Sequence, residues 1–232
     1  MSRYYRIPMG TSNSYLITNN RQCILVDAGN AGREKKCLTA LNKLGFDCEE
    51  IGLIVITHVH YDHVGSLRAL KNACKCPVAV HQKEAHLLKY GKVVLPAGTN
   101  ITGKSLMMSG NMMLKIFPQF FSFSPVEAEI TITGEMSLET FGISGKIIST
   151  PGHTDGSLSI VLSTGEAFVG DLAINYVPFD LGPIFPPFAD DVDTLLESWK
   201  DLLEQGVTKI FPAHGRSFPA QKLREKIAKR SV

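Results

Sequence analysis

Leu53-Ile54-Val55-Ile56-Thr57-His58-Val59-His60-Tyr61-Asp62-His63 couples a buried strand to a chemistry-bearing loop. Leu53 to Ile56 is a continuous apolar run of the kind a sheet buries on both faces. Immediately after it, His58, His60, Asp62 and His63 place four possible metal ligands in six consecutive positions. Neutral imidazole and carboxylate suit Zn(II), Fe(II) or Mn(II), and the loop just past a strand end is where α/β folds build their sites. The chain has seven histidines in 232 residues, so three within six positions is improbable as noise.

Three later loops repeat the pattern of strand followed by ligand. Ile147-Ile148-Ser149-Thr150-Pro151-Gly152-His153 ends in a histidine after a Pro-Gly turn. Ala167-Phe168-Val169-Gly170-Asp171 ends in a carboxylate, and Lys209-Ile210-Phe211-Pro212-Ala213-His214-Gly215 in a histidine again. A glycine beside each ligand lets the backbone approach closely or take a positive φ. The full set is His58, His60, Asp62, His63, His153, Asp171 and His214. That is too many for one tetrahedral ion, which takes four ligands. It suits two ions about 3.5 to 4 Å apart with a bridging carboxylate, the arrangement of two-metal hydrolases.

Around these loops the first part of the chain alternates strand and helix. Ser14 to Thr18 and Cys23 to Val26 read as a hairpin turning at Asn19-Asn20. Arg33 to Leu44 carries helical spacing with a stop at Gly45. A helix from about Ser66 to Ala73, a strand at Val78 to Val80 and a helix at Gln82 to Lys89 continue the alternation. Glu129 to Val169 reads as a meander, Asp191 to Glu204 as a helix, Lys209 to Phe211 as a last strand and Lys222 to Arg230 as a basic, solvated helix. Two βα-bearing halves with a sheet each point to an α/β sandwich covered by helices on both outer sides. Nothing resembles a repeat or a splitting linker, so residues 1–232 are expected to form one domain with an apolar insertion at about 92–125. Two apolar segments stand out, Gly103 to Pro125 and the proline-rich Val177 to Phe188. They read either as a lid or groove for a hydrophobic substrate arm or as core or a homodimer contact.

Composition narrows the function classes. The chain is 44% hydrophobic and 20% charged, with 24 Lys and Arg against 22 Asp and Glu. Disorder and a disulfide mini-scaffold are excluded, and the near balance of charge gives no nucleic-acid footprint and no anionic membrane partner. No apolar run reaches the roughly 18 to 20 residues of a membrane helix, and Met1 to Gly10 lacks a signal-peptide core. Cys23, Cys37, Cys48, Cys74 and Cys76 are an odd set of ordinary thiols, which fits a reducing, cytoplasmic setting. Because the seven ligands already fill the metal shell, His81 and His86 are expected to be structural or solvent-facing.

The ordered motifs carry a likeness. His58-x-His60-x-Asp62-His63, Pro151-Gly152-His153, Gly170-Asp171 and His214 resemble the signature of metallo-β-lactamase-fold hydrolases, and Asn13-Ser14-Tyr15-Leu16 and Val26-Asp27-Ala28-Gly29 match the hairpin that opens such domains. The resemblance spans nearly the whole chain. It implies an αββα sandwich of two mixed sheets and two divalent ions, zinc first, with iron or manganese as alternatives. His58, His60 and His153 would hold one ion, Asp62, His63 and His214 the other, and Asp171 would bridge. Asp27 would support the first ligand loop without touching metal. Asp62 would also orient the nucleophile or pass on its proton, and Tyr176, five residues after Asp171, is a candidate donor to a developing oxyanion, with packing as its alternative role. The implied activity is hydrolysis of a small ester-like substrate by metal-activated hydroxide: a thioester, as in glyoxalase II relatives, or a lactone. One alternative is a persulfide dioxygenase using one iron on His58, His153 and Asp171; a phosphodiesterase or nuclease ranks behind it.

Overall fold

A computed structural model describes residues 2–95, 97–99, 121–175 and 185–230. Its first strands, β1 (Arg3–Pro8), β2 (Asn13–Asn19) and β3 (Gln22–Val26), run antiparallel in succession. The turn between β2 and β3 lies at Asn20-Arg21, one residue later than the expected Asn19-Asn20, because Asn19 still pairs with Gln22; Asn20 takes a left-handed φ of 56° there. Helix α1 (Glu34–Leu44) stops at a left-handed Gly45 and leads to β4 (Ile51–Val55), parallel to β3. There follow α2 (Tyr61–Val64), α3 (Leu67–Cys74), β5 (Val78–His81) and α4 (Gln82–Tyr90). Strand β6 (Ile130–Ile132) pairs parallel with β5 and completes a mixed sheet in the order β1 to β6.

The second sheet begins with the antiparallel strands β7 (Glu135–Ser137), β8 (Gly145–Ser149), β9 (Leu158–Leu162) and β10 (Glu166–Phe168). Helix α5 (Val192–Glu204) leads to β11 (Lys209–Phe211), parallel to β10, and β12 (Phe218–Pro219) and α6 (Gln221–Ala228) follow. The order is β12-β11-β10-β9-β8-β7. Two expectations need correction. The meander expected from Glu129 to Val169 is split between sheets, because Ile130 to Ile132 register with Ala79 to His81 before the chain turns into β7. Lys209 to Phe211 is not the last strand, because Phe218 pairs back onto Ile210.

The period of two in β4 sorts its side chains between two apolar layers. Leu53 and Val55 enter the layer between the sheets, with Ile17, Ile24, Ile147, Ile160, Phe168 and Phe211. Ile54 and Ile56 face outward, under Leu41 of α1, Leu67 and Leu70 of α3 and Leu88 of α4. A third layer lies outside the second sheet, where Leu195, Trp199 and Leu202 of α5 and Leu223 of α6 cover Val161, Ala167 and Ile210. The result is the αββα sandwich of two mixed sheets expected from the sequence. Strands β8, β10 and β11 point the same way, since β8 and β10 are each antiparallel to β9 and β11 is parallel to β10. Their carboxyl ends, with the loops bearing His153, Asp171 and His214, therefore share one edge. Among the described residues, no helix is long and apolar enough to cross a membrane, and the five cysteines are free thiols.

Candidate metal centre

The loop after β4 is fixed from beneath by Asp27, the residue that follows β3. Asp27 takes a left-handed φ of 60°, an uncommon backbone for a non-glycine residue that aspartate tolerates better than most. Its carboxylate accepts hydrogen bonds from the Thr57 amide at 2.8 Å and from the Thr57 hydroxyl. It also faces His63 Nδ1 at 2.9 Å. Asp27 thus supports the first ligand loop, as the sequence likeness implied. The His214 loop is held by the first hairpin: Asn13 donates its amide and its side chain to the Ala213 carbonyl, and the Tyr15 hydroxyl donates to Pro212. Asn175, just past Asp171, joins that loop to the His214 loop by donating its amide to the His214 carbonyl. Gly152, Gly170 and Gly215, each beside a ligand, have φ of 129°, 53° and 96°, the positive values the sequence anticipated.

These supports bring the seven residues together. His58, His60 and His153 form one set, Asp62, His63 and His214 another, and His58, His63 and Asp171 a third; within each set the ligand atoms lie within 4.8 Å of one another. His153 Nε2 is 3.2 Å from His60 Nδ1. Asp171 stands between the first two sets: Oδ1 is 3.4 Å from His63 Nε2 and 3.3 Å from His214 Nε2, while Oδ2 is 3.7 Å from His153 Nε2. Asp62 Oδ2 lies 3.4 Å from His214 Nε2.

The far ring nitrogens are engaged elsewhere. His153 Nδ1 pairs with the Phe188 carbonyl at 2.8 Å and His214 Nδ1 with the Thr11 carbonyl at 3.0 Å, which orients each Nε2 inward. His58 Nε2, His63 Nε2 and Asp171 Oδ1 are buried without a hydrogen-bond partner. Leaving a buried polar atom unsatisfied costs about 1 to 3 kcal/mol, and three convergent ones are what a bound cation would satisfy. Imidazole and carboxylate are also its proper donors, so the residues fit a metal centre.

Charge divides the cluster in the same way. Burial, then the neighbouring imidazoles, hold His58 and His60 well below the usual histidine range. Burial lowers His153 as well, against the pull of Asp171. Burial also works against a charge on His63, but Asp171, Asp27 and Asp62 hold it well above that range; His214 is raised by Asp171 and Asp62 in the same way. Burial opposes the charge on Asp171, yet His214 and His63 keep its carboxyl well below the usual carboxylate value. One histidine set is thus biased toward neutral donors, and the other toward protons that a cation would have to displace.

Tyr176 lies outside the described residues, as do most of Gly103 to Pro125 and Val177 to Phe188. The described ends of those segments pack. Phe123 is buried in the core beside Leu88, Phe121 meets the Tyr61 ring at 5.1 Å, and Phe185 lies on Trp199 at 4.9 Å. His81 accepts from the Lys83 amide at the start of α4, and His86 is exposed, so neither joins the cluster. Sequence reasoning missed Thr11 and Ser12, whose hydroxyls donate to the carboxylate and the carbonyl of Asp62, and Glu84, which is buried beneath the first ligand loop. The hairpin motif marked the first two only by their neighbourhood, and Glu84 gave no signal among the polar residues of a helix.

Known proteins resemble this chain in sequence and in fold. The family model of the metallo-beta-lactamase superfamily matches residues 7–214. A probable metallo-hydrolase of Methanocaldococcus jannaschii is 30% identical over 88% of this chain and 88% of its own. A hydroxyacylglutathione hydrolase of Bdellovibrio bacteriovorus is 32% identical over 38% of this chain and 34% of its own length. Among solved structures, an archaeal metallo-beta-lactamase superfamily protein of Sulfolobus tokodaii superposes with a TM-score of 0.73 at 22% identity, over 99% of this chain and 86% of that one.

Proposed function

This chain belongs to the metallo-beta-lactamase superfamily, and on that footing we propose that it is a hydrolase with two divalent cations, zinc first, that cleaves a small ester-like substrate. The observation that carries this reading is Asp171, with one oxygen toward His63 and His214 and the other toward His153. A single iron on His58, His153 and Asp171 would leave Asp62, His63 and His214 assembled without a purpose.

His58, His60 and His153 would hold one ion, Asp62, His63 and His214 the other, with Asp171 shared. When bound, such a pair brings the pKa of water toward neutrality and polarises a carbonyl oxygen. The protein's own groups supply the rest. Asp27 keeps the inner nitrogen of His63 turned to the site. Asp62, with Oδ2 accepting from the Thr11 hydroxyl at 3.2 Å, orients the nucleophile or takes its proton. Tyr176 is retained as the donor to the developing oxyanion.

A thioester or a lactone is the substrate class. The relative named hydroxyacylglutathione hydrolase supports the thioester, since an acyl-glutathione is one. The apolar composition of Gly103 to Pro125 and of Val177 to Phe188 supports a hydrophobic arm on that substrate. Five free thiols favour the cytoplasm as its setting.

The test is turnover by protein reconstituted separately with zinc, iron and manganese, against acyl-glutathione thioesters, lactones and phosphodiesters, with oxygen uptake on glutathione persulfide in parallel. Chelator-sensitive thioester or lactone cleavage is expected. Oxygen uptake with no hydrolysis, or cleavage confined to phosphodiesters, would overturn the reading.

A further inference from the structure

Glu84 sits in the first turn of α4, where its neighbours Gln82 and Lys83 are exposed, yet it is only 4% exposed itself. A glutamate turned inward needs donors to offset the loss of water. It has three. One carboxylate oxygen accepts from the Val59 amide, between His58 and His60; the other accepts from the Thr154 hydroxyl, next to His153. The Gly156 amide is the third donor. Burial pushes this carboxyl above its ordinary value, and the three donors pull it back. A Cβ at Gly156 would stand 2.5 Å from Glu84 Cγ, so only glycine lets the carboxylate lie against that backbone. Thr154 is itself fixed, its hydroxyl and amide both meeting the Ser157 hydroxyl.

These contacts cross the molecule. Helix α4 and the loop after β4 belong to the half built on the first sheet, whereas residues 153–157 connect β8 to β9 in the second. Among the described residues, this carboxylate meets the ligand loops at Val59, between His58 and His60, and at Thr154 and Gly156, just after His153. The other set rests on different supports, with Asp27 at His63, Thr11 at His214 and Thr11 and Ser12 at Asp62. We propose that Glu84 is a positioning residue that ties the two loops carrying His58, His60 and His153 and holds that set alone at metal-binding spacing. The proposal rests on the metal-centre reading above and names the group that preorganises one half of it.

Groups that orient metal ligands typically change affinity by about 10- to 100-fold when removed. The experiment is a titration of the metal-free full-length chain with cobalt(II), followed by its visible bands and repeated with zinc against a chromophoric chelator. His153→Ala and His214→Ala identify which binding step belongs to which set. Glu84→Gln keeps the shape and removes the charge; it is expected to weaken by about 10- to 100-fold the step that His153→Ala abolishes, and to leave the other unchanged. Thr154→Val, which removes one donor, should shift the same step by less, and it carries the test if Glu84→Gln fails to fold. Glu84→Gln binding like wild type, or weakening both steps equally, would overturn the proposal. A wild-type chain binding one ion would contradict the two-ion reading, while the effect of Glu84→Gln on that ion would still decide the role of Glu84. No binding at all would overturn both.

Discussion

Five imidazoles share one buried shell, and what separates them is their distance from carboxylates. His58 and His60 are held well below the ordinary histidine value of about 6.5 and His153 below it, so protons compete for this set only as the pH falls beneath that value. His63 is raised well above that value and His214 is raised from it, so protons compete with a cation for this set more strongly than for the other. Acidification from pH 7.5 to about 6 should therefore weaken cation binding at the Asp62, His63 and His214 set while leaving the other set flat. Equal slopes for both steps in zinc competition across that range would contradict the assignment. Asp27→Asn isolates the charge beneath His63, because asparagine tolerates the left-handed φ of that position. It should cost about 10- to 100-fold in affinity at the His63 set with little change in unfolding midpoint. The ligands were legible because each follows an apolar strand in a glycine-marked loop. Apart from Asp27, their supports were not, since Thr11, Ser12 and Glu84 act from sites where a polar side chain reads as solvated surface.

At the scale of elements, α5 links the third apolar layer to the site. Trp199 is fully buried and donates its indole N–H to the Leu172 carbonyl, and the Ser198 hydroxyl donates to the carbonyl of Pro151, two residues before His153. Trp199→Ala should cost about 3 to 5 kcal/mol in urea unfolding and also weaken the step assigned to His153. A loss of stability with unchanged metal affinity would show that α5 does not position that loop. Strand β4 and helices α1, α3, α4 and α5 were readable from their period and stops. Strand β1 was not, because Arg3 and Arg6 break the apolar run and its partner β2 supplies the order. Nor was the home of β6, since three residues of Ile-Thr-Ile specify a strand but not which sheet receives it.

Across the whole molecule, the candidate ligands come from both halves of the sandwich: His58, His60, Asp62 and His63 from the loop after β4, and His153, Asp171 and His214 from three loops of the second sheet. Cations bound among them act as cross-links between the sheets as well as chemistry. With free metal at about 100 times its dissociation constant, binding adds about 2.7 kcal/mol. Removal of each such ion by chelation should then lower the thermal midpoint by about 5 to 10 °C for a chain of this size. The same midpoint with and without chelator would contradict it. The sandwich itself was legible from the two βα-bearing halves, because a continuous apolar run such as Leu53 to Ile56 requires a layer on each face of its sheet. The most direct test of the central claim is the metal content of untagged protein by plasma mass spectrometry, wild type beside Asp62→Ala. About two equivalents per chain, falling to about one in the variant, is the predicted result. A single equivalent in both proteins would contradict the shared, two-ion centre.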